Sequence, residues 1–304
     1  MQLPKMSFFR TLAFCLALMS APTVLAAQGG DDTKAAAEGG KTSTGQEQEQ
    51  SEKAQKEAGK QRGEIIKEAV TALNKTKSAL VALEKENTED ALSDLVEAEK
   101  NLDTVLSESP ELKLAPVDVS VTRYDVQAGP EAVREMVNQA EEDLEAGNVQ
   151  QARTLLSGLA SEIVITEANL PLASYPDAIK EVSPLIVEGK TEEAKRRLQT
   201  ALNTIVLQDT VIPLPVVRAT DQIEEAEKLA QKDELSSEKS DKLADHLADA
   251  RAQIELAQAL GYGEESEYEQ LYNQLDKLEK KTAKGESGSD WFEEFKQSLS
   301  QLWS

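Results

Sequence analysis

The chain has one histidine, His246, which sits beside Asp245 and three residues before Asp249. A carboxylate next to an imidazole can orient it for general-base work, but only with a nucleophile or second ligand in register. No such residue stands at matching spacing, so His246 reads as a helix-surface histidine with neither a catalytic nor a metal role. The acid runs Glu141-Glu-Asp143 and Glu264-Glu265 lack the Asp-x-Asp-x-Asp-Gly loop that makes calcium binding specific, and they read as solvated faces. No glycine-rich phosphate loop occurs, since Gly29-Gly30 and Gly39-Gly40 sit in a polar stretch that reads as a disordered tether. Cys15 is the sole cysteine and falls in an apolar export-signal run, so the mature chain offers no thiol for catalysis, disulfides or metal. We expect no catalytic, metal or cofactor residues and no enzyme.

The residue types that remain conspicuous are apolar. Trp291, Phe292, Phe295, Leu299, Leu302 and Trp303 occupy an arc of about 120° on a helical wheel, with Glu293, Glu294, Gln297 and Gln301 outside it. Such a helix docks on its own bundle, on another protomer, on a partner or on a membrane. Its acidic polar face makes the membrane the weakest of these. The six apolar residues are the candidate partner-docking set.

The elements behind these residues come from a helical hairpin written at least twice. Gly147, Ala152, Leu156, Ile163, Val164, Pro171 and Leu172 recur 42 positions later as Gly189, Ala194, Leu198, Ile205, Val206, Pro213 and Leu214. Upstream, Pro130 to Met136 recurs as Pro176 to Val182 at an offset of 46, so the second copy's first helix is about one turn shorter. Ala91, Leu95, Ala98 and Leu102 after Thr88 mark a third, earlier copy of the second-helix half. Thr88 and Thr191 are expected as N-caps, Pro130 and Pro176 in first turns, and Gly147 and Gly189 as helix stops.

Each hairpin runs into an extended apolar crossover at 114–117, 170–172 and 211–217, where prolines oppose helix. Alternation of Val117, Val119 and Val121 allows one short strand. Further helices are predicted near 219–234, 238–260 and 264–283, with Gly261-Tyr-Gly263 as a tight turn. The fold class expected is all-α: stacked antiparallel helical hairpins with Pro-rich extended crossovers.

Lys5 and Arg10, the apolar run 11–19 and the small residues of 22–27 read as a cleaved export signal ending before Ala27. Removing those two cations from 33 leaves 31 basic against 56 acidic residues, a net charge of −25. That field repels nucleic acid and anionic lipid, so neither is an expected partner. Residues 27–63 lack Val, Ile, Leu and aromatics, and read as a disordered polar tether. The expected organisation is signal peptide 1–26, tether 27–63, helical domain 64–284, linker 285–289 and amphipathic helix 290–304.

With these segments placed, the chain resembles the YfdX family of exported bacterial proteins. The resemblance is carried by Leu114-Ala-Pro-Val-Asp-Val119, Ala152 to Val164, Leu170-Pro-Leu-Ala-Ser-Tyr-Pro-Asp-Ala-Ile179, Leu198 to Thr204, Thr210 to Ala219 and Ala259-Leu-Gly-Tyr-Gly263. It implies a mainly helical periplasmic protein tied to acid, heat or oxidant tolerance, with a chaperone-like role. The family supplies no catalytic residues to carry over. The expected function is therefore non-enzymatic stress protection by binding unfolding client proteins, with self-association into homo-oligomers also compatible. A periplasmic small-molecule binder and an interaction module for one protein partner are the alternatives.

Overall fold

The computed structural model describes residues 64–231, 237–284 and 289–301. The proposed signal peptide and tether lie outside these residues, as do Leu302 and Trp303. The stretch read as one helical domain, 64–284, is laid down as two compact units. Among the described residues, one holds 64–123 and 163–212, and the other 124–162 and 213–301.

The first unit opens with an antiparallel hairpin, α1 (Lys67–Glu84) and α2 (Thr88–Glu108). Ala69, Ala72, Ala79 and Leu83 on α1 meet Ala91, Leu95, Ala98 and Leu102 on α2, all fully buried, and alanines at these contacts let the helix axes approach closely. Between the helices Glu86 takes the left-handed conformation at φ 60°, and the Asn87 N–H donates back to the Ala82 carbonyl (2.9 Å). The Asn87 side-chain oxygen accepts from the Asp90 N–H at 3.1 Å. Asn87, not Thr88, is thus the N-cap; Thr88 and Thr191 are both the first residues inside their helices. Thr191 follows Lys190, which has no acceptor to offer, so that helix starts without a side-chain cap.

The second copy follows in the same unit as α5 (Tyr175–Lys180), α6 (Val182–Val187) and α7 (Thr191–Leu202). The shortened first helix is therefore two short helices. Pro184 causes the break: it has no N–H to donate to the Lys180 carbonyl, and its ring crowds that group. Tyr175, Ile179, Val182, Ile186, Ala194 and Leu198 join α1 and α2 in one core. Burial pushes the Tyr175 phenol up to about 12.

The fold is mainly helical but not all-α. The crossovers are β1 (Leu114–Asp125), β2 (Ser161–Pro171) and β3 (Val206–Pro213), in a three-stranded sheet of order β1-β2-β3. Leu172 donates to Lys113 and Val126 donates to Ala160, so β1 and β2 run antiparallel. Thr166 to Asp209 (2.6 Å) and Asn169 to Gln208 (3.1 Å) give β3 the same sense against β2. The single short strand expected at 117–121 is thus one of three. The signal for the others is the run Ile163-Val-Ile-Thr166 with its echo Ile205-Val206, β-branched residues that fit a pleated surface better than a helix. Extended chain does not continue to 217 either: α8 (Leu214–Ala230) begins at once, with Pro213 as N-cap and Pro215 in the first turn, where no N–H is needed.

The second unit contains the first hairpin copy, α3 (Pro130–Glu145) and α4 (Val149–Leu156). It also holds α8, α9 (Ser237–Ala259), α10 (Glu265–Thr282) and α11 (Ser289–Gln301). Ile223, Leu247, Ile254, Tyr268, Leu271 and Leu275 form its core. Arg251 of α9 clamps α10 through Asp276 (2.6 Å) and Glu279 (3.0 Å).

Candidate functional site

His246 is half-buried on α9, and its Nδ1 lies 2.6 Å from the Gln222 side-chain oxygen on α8. Asp245 and Asp249 point into solvent and do not join it. The imidazole is an interhelical strut. Glu264 and Glu267 form a capping box at the start of α10, and Glu265 accepts from Gln258 (2.8 Å), so that acid run serves a helix terminus. Glu141 and Glu142 are exposed, and Asp143 accepts from Asn148. Among the described residues, no three His, Cys, Asp or Glu side chains gather as a metal site would.

The turn Gly261-Tyr-Gly263 does more than reverse the chain. Gly261 (φ 81°) and Gly263 (φ 72°) adopt left-handed backbone on either side of Tyr262. The Tyr262 hydroxyl accepts from the Ser161 N–H (3.1 Å) and donates to Glu162 (2.9 Å). Burial first, and then the Glu162 carboxylate, raise its pKa well above the ordinary tyrosine value. Next to it, Asp125 accepts from the Ser161 hydroxyl (2.9 Å) and from Arg218 (2.6 Å). A serine bonded to an aspartate could suggest a nucleophile, but Ser161 is fully buried and its hydroxyl hydrogen points at a carboxylate with no imidazole between. This network pins the end of β1 and the start of β2 to α8 and the 261–263 turn. Nothing in the sequence spacing joins Asp125, Ser161, Arg218 and Tyr262; only the fold does.

The C-terminal helix docks on its own unit. Phe292, Phe295 and Leu299 are fully buried against α8 and α10, and Trp291 is half-buried with Lys281 over its ring at 3.4 Å. Lys296 bridges to Glu227 of α8 at 2.9 Å. Of the four docking surfaces open to this helix, its own bundle is the one that Phe292, Phe295 and Leu299 occupy.

Two surface hollows are polar and shallow. One runs along α2 past Glu99, Lys100 and Asp103, the other between α10 and α11 past Glu269, Asn273 and Glu294.

What does stand open is β3. Among the described residues it pairs with β2 on one side only, and every residue from Val206 to Val211 is exposed, with Leu207 at 58%. Val206, Leu207 and Val211 put apolar side chains on both faces of the strand, since successive residues alternate. Edge strands normally carry Lys, an internal Pro or a covering segment to block further pairing. β1, the other edge, has Pro116 within it, and the Pro116 carbonyl already accepts from Ile66 (3.0 Å). β3 has Pro213 only at its end, no cation, and one charge, Asp209, tied to Thr166.

Residues 72–211 match the family model described as YfdX protein. The chain carries a YfdX domain. The matched residues run from α1 through most of β3, so the open edge belongs to the YfdX domain, while α8–α11 and the 261–263 turn follow it. A solved structure of Salmonella Typhi YfdX is similar at 18% identity. The match covers 49% of this chain and 93% of that one, with a TM-score of 0.35. No curated protein matches the chain.

Proposed function

We propose that this is a non-enzymatic, exported, stress-protective protein whose YfdX domain holds unfolding proteins under heat, acid or oxidant stress. The observation that supports the reading is the β3 edge, paired to β2 alone and apolar on both faces. An extended segment of an unfolding protein can add a strand there, with main-chain hydrogen bonds supplying affinity and Val206, Leu207 and Val211 accepting alternate side chains. Main-chain pairing is indifferent to sequence, which suits a binder of many clients. The charge of −25 after loss of the two signal cations keeps such complexes apart from one another. Export to the periplasm rests on the Lys5–Ala27 signal pattern, and on the same reading the tether begins the mature chain.

The test is light scattering of reduced or heat-denatured clients with the full-length protein and its Leu207→Lys/Val211→Lys variant. Both sites are exposed, so far-UV dichroism should be unchanged. Equimolar protein should suppress scattering and the variant should lose most of that effect. No suppression by the unmodified protein, or equal suppression by the variant, overturns the reading.

A further inference from the structure

The chain shows, in its second hairpin, what covers this architecture. There α1 packs on α7 and α2 on α5 and α6, so Ile186 is 5% exposed and Leu198 is fully buried. At the positions 42 earlier, Leu144 is 38% exposed and Leu156 half-buried. Helix α4 packs chiefly on α3, and α3 on α9, with no counterpart of α1 over α4 among the described residues.

The residue types follow this difference. Thr191, half-buried in the enclosed copy, corresponds to Val149 in the first copy. Val149 is 49% exposed and shares a face of α4 with Leu156, seven residues on. At this position the less enclosed copy thus holds an apolar residue where the enclosed copy is polar, the reverse of what solvent exposure alone favours.

We infer that the α3–α4 hairpin is a docking site for a basic amphipathic helix of a partner protein. The helical form follows from the copy, where the cover is an 18-residue helix presenting Ala69, Ala72, Leu73 and Ala79. The charge follows from the rim: Glu141, Glu142 and Glu145 are exposed beside the patch. Residues 130–156 carry six acids against Arg134 and Arg153. A cationic polar face pairs with that rim while the apolar stripe covers Leu144, Val149 and Leu156. This site uses helices rather than the β3 edge, and it stands whether or not β3 binds clients.

The probe is a fluorescent peptide of residues 67–84 with Glu68→Lys and Glu84→Lys, titrated into the full chain. A shuffled peptide of the same composition but no apolar stripe serves as control. Saturable one-to-one binding is expected, with the shuffled peptide and the Val149→Glu protein each weaker by about tenfold. Hydrogen exchange should slow over residues 137–156. Equal binding of the shuffled peptide would reduce the effect to charge attraction. Protection at 191–202 instead would mean exchange with the chain's own α1. Either result overturns the proposal, as does an unaffected Val149→Glu protein, or sedimentation showing that a second copy already occupies the hairpin.

Discussion

The hairpin at 130–156 and its copy at 176–202 keep the same buried alanine and differ in their surroundings. Ala152 and Ala194 are both fully buried. Gly147 and Gly189 close both turns with φ of 81° and 76°, and the following residues, Asn148 and Lys190, donate back to Asp143 and Leu185 at 2.7 and 2.8 Å. Yet α7 lies against α1, whereas among the described residues α4 has only its hairpin mate as a major neighbour. A repeat therefore preserves what a hairpin needs internally, a small residue at the crossing and a glycine at the turn. It does not preserve what lies outside, because outer contacts depend on which other segments reach that face.

The sharpest way to break this comparison is to truncate the same leucine in both copies. Leu198→Ala leaves a cavity in an enclosed core and should cost about 2–5 kcal/mol, whereas Leu156→Ala at a half-buried site should cost about 1 kcal/mol. Urea unfolding of the two variants measures both. Equal losses would mean that α4 is as enclosed as α7 in solution.

The turns should behave alike where the surroundings differ. A Cβ at Gly147 or Gly189 meets no atom within 4 Å, so only the left-handed backbone opposes Ala. Gly147→Ala and Gly189→Ala should each destabilise by about 1 kcal/mol. The third hairpin offers the opposite substitution: Glu86 adopts φ 60° with a side chain, so Glu86→Gly should stabilise by a few tenths to about 1 kcal/mol. Unequal costs at the two glycines, or a destabilised Glu86→Gly, would break the equivalence of the three turns.

The smallest effect concerns the α1–α2 hairpin in acid. Burial works to raise the Asp94 pKa, but hydrogen bonds from Ser78 and Lys75 prevail and hold it below the ordinary 3.8. A depressed folded pKa contributes stability that is present above the unfolded value and lost as pH falls through the folded one. Asp94→Asn should therefore lower stability slightly at pH 7, with the difference from the parent shrinking below about pH 4. Thermal melts from pH 7 to 3 measure this; a difference that grows in acid would reverse the assignment.

Much of the fold is legible locally. The stripe Ala91, Leu95, Ala98, Leu102 marks α2, and α9 and α10 lie within a residue or so of their predicted limits. The apolar arc at the C-terminus is a helix whose Phe292, Phe295 and Leu299 are buried. The strands are harder to see because β3, Val206-Leu-Gln-Asp-Thr-Val-Ile-Pro213, has no clean alternation. An edge exposed on both faces has no need of one. The Asp125–Ser161–Arg218–Tyr262 network leaves no trace in spacing at all.

What the sequence determined by itself is what repeats with a short period: helical stripes, glycine stops and prolines in first turns. Those signals arise from contacts three to seven residues apart, which the backbone enforces wherever the segment ends up. Only the tertiary structure decided that the two hairpin copies enter different units, that three crossovers pair as a sheet with β3 at its edge, and that α11 closes on its own bundle. The physical reason is that apolar burial has no direction. An amphipathic face reads the same whether its own chain or a partner covers it, and strand pairing joins residues that no local pattern connects.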